Sequence, residues 1–253
     1  MEFLASGKVN FINLSGSGQK KEKHTLNVKI LYEDNHIIVV EKPPNVPSQS
    51  DKTEDEDMLT IIKAYLKEKY HKPGNVYLGL VHRLDRPVGG VMVFAKTSKA
   101  SSRLSEQVRN KIFKKEYLAI VDGKPKKQQG ILEDYLLKNQ KNNISKVVPE
   151  NTKNAKYAKL EYKFIKYNPD TDLSLLKILL HTGRHHQIRV QLSHGGHSIC
   201  GDQKYGTRGR GKQIALWAYQ LTIQHPITRE EMTFTDLPDT IGPWVMLKDI
   251  EVM

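Results

Sequence analysis

The densest group of chemically useful side chains in the sequence lies in the segment 81–90. Here His82, Arg83, Asp85 and Arg86 occur within five residues, and the segment ends in a glycine pair that leads into an apolar run. A loop of this kind can present a carboxylate at the edge of a sheet among cations that keep it ionised. Asp85 is therefore a candidate catalytic carboxylate. The alternative is that an Asp–Arg ion pair only pins the loop.

A second candidate is Tyr117, which opens an apolar run directly after Lys114, Lys115 and Glu116. A tyrosine beside a basic cluster can stack on a nucleobase, and such a contact contributes about 1–3 kcal/mol per base. The alternative is a tyrosine that is half-buried in a strand, where this residue type is common.

A third polar segment covers residues 181–192 and contains Arg184 and Arg189. It begins in an apolar run, crosses Gly183 and continues with a helical pattern. Because the first turn of a helix can bind anions, these arginines can contact phosphate groups or hold a buried carboxylate. The alternative is a basic helix face that is only solvated.

Five histidines lie between His181 and His197 and invite comparison with zinc sites. However, the sequence contains no H-E-x-x-H motif, and no carboxylate falls among these histidines before Asp202. Cys200 is the only cysteine of the chain, so paired cysteine ligands are excluded. P-loop and dinucleotide-binding motifs are absent as well. We therefore expect neither a metal ion nor a cofactor.

The charge of the chain points to a polyanionic partner. Its 253 residues carry a net charge of +12, which attracts polyanions over long distances. The cations are clustered on both sides of the Tyr117 strand and in a glycine-rich loop, and phosphate contacts need such clusters. The clustered residues are Arg109, Lys111, Lys114, Lys115, Lys124, Lys126, Lys127, Arg208, Arg210 and Lys212. Nucleic acid is the expected partner, with membranes and acidic proteins as alternatives.

The same sequence favours the cytoplasm. The single cysteine fits a reducing compartment. The chain starts without a cationic and then apolar signal segment, and no apolar run is long enough to span a bilayer. We expect no association with a membrane.

The hydrophobic pattern predicts an α+β fold. A hairpin is predicted around Asp34-Asn35, and helices are predicted over about Asp57 to Tyr70, from a Ser98 N-cap to Val108, and over His186 to His194. Strands are predicted at 28–32, 36–40, 91–95, 117–121, 131–137, 160–164, 173–180, 214–223 and 232–235. Consecutive strands with only occasional helices indicate a large mixed, mainly antiparallel sheet flanked by helices. Residues 1–24 are predicted to be a flexible tail and residues 25–253 a single domain.

Taken in order, the polar motifs resemble the RluA family of pseudouridine synthases from about Ile30 to Gly206. The matching segments are Ile30–Asp34 with Val40–Pro43, His82–Asp85, Lys115–Tyr117, Thr182–Val190 and Gly201–Gly206. The sequence departs from the family at one place. Pro87, Val88 and Gly89 follow Asp85-Arg86, where the family usually has threonine, serine and glycine, so two hydroxyl groups are missing.

The resemblance implies the pseudouridine synthase catalytic fold and roles for particular residues. Asp85 would be the catalytic carboxylate, which attacks C1′ or C6 or assists a glycal route, and Arg189 would be the guanidinium that favours its ionised form. Tyr117 would stack on the target base and relay a proton, and Arg83 would fill the space left by the flipped base. The remaining candidates are assigned to RNA contact: His82, Arg184, Lys114, Lys115 and Lys127. For His82 and Arg184 the alternative is that they support the loop.

The implied protein is a monomer that modifies uridines in structured RNA, either rRNA or tRNA, without a cofactor. Two other functions are compatible with the sequence. One is an RNA-binding protein that has kept the fold but lost catalysis, and the other is a metal-dependent nucleic-acid hydrolase.

Overall fold

The computed structural model describes residues 28–51, 53, 55–206 and 211–248. The predicted tail 1–24 and the basic residues Arg208 and Arg210 therefore lie outside the described residues. The strands are β1 (Ile30–Glu33), β2 (Ile37–Lys42), β3 (Gly79–Leu80), β4 (Gly89–Ala95), β5 (Lys114–Asp122), β6 (Gln129–Asn139), β7 (Ile144–Val148), β8 (Lys156–Asn168), β9 (Leu173–Leu180), β10 (Leu216–Gln224) and β11 (Glu231–Thr235). The helices are α1 (Met58–Lys69), α2 (Ser98–Arg109), α3 (Gln187–His194) and a 3-10 helix at Gly242–Leu247.

The described strands form one sheet in the order β1-β2-β4-β10-β5-β9-β8-β6-β7, with β11 paired to β10 and β3 paired to β4. The pairing of β10 with β4 is parallel, and the other pairings in the described residues are antiparallel. The predicted α+β class with a mixed, mainly antiparallel sheet is confirmed. The predicted strands and helices are present, with ends that differ by a few residues.

Helix α2 begins differently from the prediction. The capping residue is Thr97 rather than Ser98, because Thr97 has an extended backbone and its hydroxyl accepts a hydrogen bond from the N–H of Ala100. Ser98 is already the first residue of the helix, so its side chain cannot accept hydrogen bonds from the free N–H groups of the first turn. Asp57 caps α1 in the same way, accepting from Thr60.

Three short elements were not predicted: β3, β7 and the 3-10 helix. Strand β7 pairs with β6 alone and lies at the edge of the sheet. Its five residues include Ser145 and Lys146, so the apolar alternation that identifies a strand is too short to stand out.

The two faces of the sheet carry different layers. Along β2, Ile38 and Val40 pack with α1 in one cluster, while Ile37 and Val39 pack with α2 in another, because successive side chains of a strand point to opposite faces. Helix α3 and the segment 84–88 share the face of α1, and the 3-10 helix covers the opposite face. The fold therefore brings the segment that carries Asp85 and the helix that carries Arg189 onto one face. No helix in the described residues has the length and apolarity needed to cross a bilayer.

Candidate active site

Asp85 and Arg189 meet at the surface of this face. The Nη1 atom of Arg189 lies 3.3 Å from Oδ2 of Asp85. The Asp85 side chain keeps 29% of its surface exposed, whereas that of Arg189 is 4% exposed. The carboxylate is thus held by a buried cation and still accessible from solvent.

The principal partner of Arg189 is a second carboxylate, Asp202. Nε and Nη2 of the arginine donate to the two oxygens of Asp202 at 2.7 and 2.6 Å, a bidentate geometry that fixes the guanidinium plane. Asp202 is fully buried and also accepts from the backbone N–H groups of Lys204 and Tyr205. Burial alone would lower the pKa of Arg189, but the bonds and charges of Asp202 and Asp85 raise it above its ordinary value. Asp202 was noted in the sequence only as part of a motif, and its role as the anchor of Arg189 is a finding of the structure.

The arginine next to Asp85 in the chain does not pair with it. Arg86 forms ion pairs with Asp51 and Asp55 and donates through Nε to the carbonyl of Asn45. The Asp–Arg ion pair that the sequence offered as a structural alternative therefore exists, but it uses other carboxylates. Asp85 pairs with Arg189 and not with Arg86.

The backbone of the Asp85 loop is held by side chains from outside the loop. The hydroxyl of Ser48 donates to the carbonyl of Leu84 at 2.9 Å and accepts from its N–H at 3.2 Å. The amide of Gln213 donates to the carbonyl of Pro87 at 2.6 Å. Val88, which stands where the family usually has a hydroxyl residue, is buried in the core. It anchors the loop by apolar packing instead.

Gly89 and Gly90 allow the loop to enter the sheet. Where β4 runs beside β10, a Cβ atom on Gly89 would overlap the ring of Trp217, and one on Gly90 would overlap the backbone of Ala218. Gly90 also has a φ of 119°, a conformation that only glycine adopts without strain. The glycine pair therefore sets where the Asp85 loop joins the sheet.

Lys42 lies beneath the same loop, and the sequence indicated it only as part of the matching segment Val40–Pro43. It is completely buried, and its ammonium donates to the carbonyls of Pro43, Val46 and Arg86 at 2.8–3.0 Å. Burial lowers the pKa of Lys42 to about 7, while the negative charge of Asp85 opposes the shift. The lysine thus connects the end of β2 to the residue that follows Asp85.

We predict that Lys42→Met weakens folding. The carbonyls of Pro43 and Val46 would lose this donor, whereas the carbonyl of Arg86 would keep the N–H of Asn45. An unsatisfied buried polar group costs about 1–3 kcal/mol. We expect the free energy of unfolding to fall by roughly 2–4 kcal/mol, since part of the loss is offset by no longer burying a charge. Denaturant unfolding measures this loss, and the matched control is Lys63→Met on the exposed side of α1. Equal stability of the two variants would contradict the assigned role.

Tyr117 lies in β5 between β9 and β10, opposite Ile178 and Ala218. It is buried in the same cluster as Leu84 and Ile188, which belong to the Asp85 loop and α3. Burial and the negative charge of Asp85 raise the pKa of Tyr117, so its hydroxyl keeps its proton at neutral pH. The ring is buried in the core next to the Asp85 loop.

His82 supports the loop. Its Nε2 accepts a hydrogen bond from the N–H of Val93 at 3.1 Å, and its ring makes an edge contact with Phe113. Burial and the charge of Lys115 lower the pKa of His82 to about 3, so the imidazole is neutral. The geometry favours loop support over RNA contact for this residue.

The other predicted RNA contacts are distributed unevenly. Arg83 and Arg184 are exposed near the site, although Arg184 also donates to the carbonyl of Tyr157 at 2.8 Å. Lys115 is half-buried beside Gly183, and burial lowers its pKa. Lys114 and Lys127 are exposed, and Lys114 lies 3.7 Å from Glu231. Strand β5 begins at Lys114 and its nine residues span about 26 Å, and Lys127 follows beyond the other end of the strand.

His186 and Tyr205 complete the site. Nε2 of His186 lies 3.7 Å from Oδ2 of Asp85, and its Nδ1 lies 2.8 Å from the hydroxyl of Tyr205. The ring of Tyr205 stacks beneath the guanidinium of Arg189 at 5.2 Å. In the part of the chain that the structure describes, no three His, Cys, Asp or Glu side chains are grouped to hold a metal ion. The arrangement offers one accessible carboxylate, one fixed cation, a protonated tyrosine and neutral imidazoles.

Comparisons with known proteins agree on one family. The family model described as RNA pseudouridylate synthase matches residues 36–194. The dual-specificity RNA pseudouridine synthase RluA of Escherichia coli K12 is 35% identical over 212 residues, covering 81% of this chain and 90% of that protein. The tRNA pseudouridine synthase C of Pasteurella multocida is 31% identical over 229 residues, covering 82% and 90% of the two chains.

A solved structure shows the same fold. Human RNA pseudouridylate synthase domain containing 4 superposes with a TM-score of 0.72 at 23% identity, covering 85% of this chain and 90% of that one.

Proposed function

This chain belongs to the RNA pseudouridine synthase family, and from that premise we propose that Asp85 is the carboxylate with which it isomerises uridine to pseudouridine. The observation that carries this assignment is the pairing of an accessible Asp85 with a buried, doubly anchored Arg189. An ionised carboxylate that is partly shielded from water is a good nucleophile or base because little solvent has to be removed from it.

The reaction replaces the bond between N1 and C1′ of uridine with a bond between C5 and C1′. The N1–C1′ bond of uridine breaks, the uracil turns, and C5 joins C1′, after which C5 loses its proton and N1 carries one. The atoms of the nucleoside are unchanged and no electrons are gained or lost overall. Side chains therefore suffice, and we propose that the protein works without a metal or cofactor.

Three routes assign a bond-making step to Asp85. Its carboxylate can attack C1′ as N1 leaves and be displaced when C5 bonds to C1′, or it can add to C6 of the base and be expelled after C5 has joined C1′. In the third route it removes the C2′ proton as N1 leaves, which forms a glycal, and returns the proton when C5 joins C1′. Each route needs an ionised carboxylate next to the ribose and base. The fixed position of Arg189 serves each route, because the arginine contacts one oxygen of Asp85 and leaves the other oxygen free for the substrate.

We assign the neighbouring side chains by their place around Asp85. Tyr117 keeps its proton, so it serves as a surface for the flipped base and as a proton donor. Arg83 is exposed two residues before Asp85, where it can enter the gap that the flipped base leaves in the helix. Arg184 and Lys115 flank the site and contact the RNA backbone, and Lys114 and Lys127 extend this contact along β5.

The substrate we propose is a structured rRNA or tRNA. The relatives in Escherichia coli and Pasteurella multocida are named for dual-specificity RNA and tRNA modification, and the net charge of +12 suits a polyanion. We further propose that the protein acts as a monomer in the cytoplasm.

Mapping of pseudouridine in total RNA tests this proposal. RNA from cells with and without the gene is derivatised chemically and analysed by mass spectrometry. We expect at least one rRNA or tRNA site to disappear on deletion, to return with the wild-type gene, and to stay absent with Asp85→Asn. If every pseudouridine persists while the protein is expressed in the parent cells, a non-catalytic RNA-binding role is favoured instead.

A further inference from the structure

His186 occupies a strained and buried position beside Asp85. Its side chain is 7% exposed, and its backbone is left-handed with a φ of 53° and a ψ of 26°. Such a conformation is uncommon for residues other than glycine and is strained. The residue is the N-cap of α3, yet its side chain makes no capping hydrogen bond. The imidazole is directed to Asp85 and Tyr205 instead.

The hydrogen bonds around Tyr205 determine which nitrogen of His186 carries the proton. The Tyr205 oxygen accepts from the backbone N–H of Ser145 at 2.7 Å. Its own proton needs an acceptor, and in the described residues that acceptor is Nδ1 of His186 at 2.8 Å. Nδ1 must then be unprotonated, and a neutral imidazole carries its proton on Nε2.

The imidazole is neutral at physiological pH. Burial and the positive charges of Arg189 and Lys204 lower the pKa of His186 to about 3. The nitrogen that faces Asp85 at 3.7 Å is therefore an N–H donor without a formal charge.

We propose that His186 is a positioning residue for Asp85, whose Nε2–H, set by Tyr205 and Ser145, directs the carboxylate together with Arg189. Both groups approach the same oxygen, Oδ2, so the other oxygen is left to react with the substrate. The 3.7 Å separation is longer than a hydrogen bond, and bonds between catalytic groups shorten when the substrate closes the site. This inference rests on the proposed role of Asp85.

The arrangement also links a distant strand to the site. Ser145 lies in β7 at the edge of the sheet, and its N–H fixes the orientation of the Tyr205 hydroxyl. The sequence between Asp85 and Ser145 is long, so only the fold joins these groups. Tyr205 becomes a second positioning residue, acting through His186.

Nitrogen NMR of the histidine side chains tests the tautomer directly and needs no RNA. The full-length protein is labelled with ¹⁵N-histidine, and the signals of His186 are those that disappear in His186→Gln. We expect Nε2 to be protonated and Nδ1 unprotonated in the wild type, and a mixture of tautomers in Tyr205→Phe. A proton on Nδ1 in the wild type would overturn the inference.

Single-turnover kinetics test the role in catalysis. We expect His186→Phe to slow pseudouridine formation about tenfold, the scale of one hydrogen bond, with the RNA dissociation constant changed by less than about twofold. His186→Gln keeps an N–H donor at the same reach and should restore most of the rate. The control is His194→Phe, at the exposed end of the same helix, which should behave as the wild type.

The outcomes separate this inference from the proposed function. If His186→Gln is as slow as His186→Phe, or if His186→Phe reacts at the wild-type rate, the donor role is wrong. If the wild type forms no pseudouridine in any RNA, the proposed function fails, while the NMR result still decides the tautomer.

Discussion

Replacing Asp85 by asparagine is expected to lower pseudouridine formation by roughly 10⁴-fold or more, the scale at which enzymes lose activity when a nucleophile or its base is removed. Asparagine has the same shape and its oxygen can still accept from Arg189, so the loop should keep its structure. It lacks the negative charge that attacks or deprotonates the nucleoside. The measurement is a single-turnover assay with excess enzyme, which reports the chemical step without product release.

The binding of RNA provides the internal control for this prediction. The dissociation constant of Asp85→Asn should stay within a few-fold of the wild type, because phosphate contacts come from the surrounding cations. Asp170→Asn, the same chemical change in the exposed turn between β8 and β9, should leave both rate and affinity unchanged. Normal turnover by Asp85→Asn would remove the aspartate from the mechanism.

Replacing Arg189 by alanine is expected to remove turnover and also to weaken the fold. Asp85 loses the cation that lies 3.3 Å from its carboxylate, and the fully buried Asp202 is left without its charged partner. An uncompensated buried charge costs about 3–5 kcal/mol. Thermal unfolding and single-turnover assays below the melting temperature measure the two effects separately.

The double variant Arg189→Ala/Asp202→Asn distinguishes the two roles of the arginine. A neutral amide at position 202 removes the buried charge, so stability should recover in part, whereas turnover should stay lost. Recovery of turnover in the double variant would mean that Arg189 acts only through the fold.

The ion pair between Arg189 and Asp202 also determines how the stability of the fold depends on pH. Burial favours a higher pKa for Asp202, but Arg189 and two backbone N–H groups outweigh it and hold the pKa below the ordinary value of 3.8. In the wild type this carboxylate contributes stability above that pH, and the contribution is lost as the pH falls through its lowered pKa. In Arg189→Ala burial dominates and the pKa rises, so the folded variant takes up a proton more readily than its unfolded chain. The melting temperatures of variant and wild type should therefore differ less at pH 5 than at pH 7.5.

The sequence was most informative where short-range forces determine the outcome. The spacing of Leu59, Ile62, Leu66 and Tyr70 predicted α1, and a capping side chain with a helical pattern predicted α2 to within one residue. Alternating residues predicted the long strands, because the alternation reports which face of a strand is buried. The family resemblance identified Asp85, Tyr117 and Arg189 as one group.

Such local patterns did not predict contacts between segments that are far apart in the chain. Nothing in the sequence indicated that Lys42 would be buried under the Asp85 loop or that Ser48 and Gln213 would hold its backbone. The sequence also left open whether His82, which accepts from the N–H of Val93, contacts RNA or supports the loop.

By itself the sequence determined the chemical groups, the fold class and the order of most elements, since propensity, alternation and capping act between residues close in the chain. The tertiary structure alone decided that Arg189 is anchored by Asp202 and that Tyr205 sets the tautomer of His186. These features depend on β10 pairing between β4 and β5 and on α3 packing beside the Asp85 loop. Such long-range pairings follow from how the whole core is buried, and no local stretch of sequence contains that information.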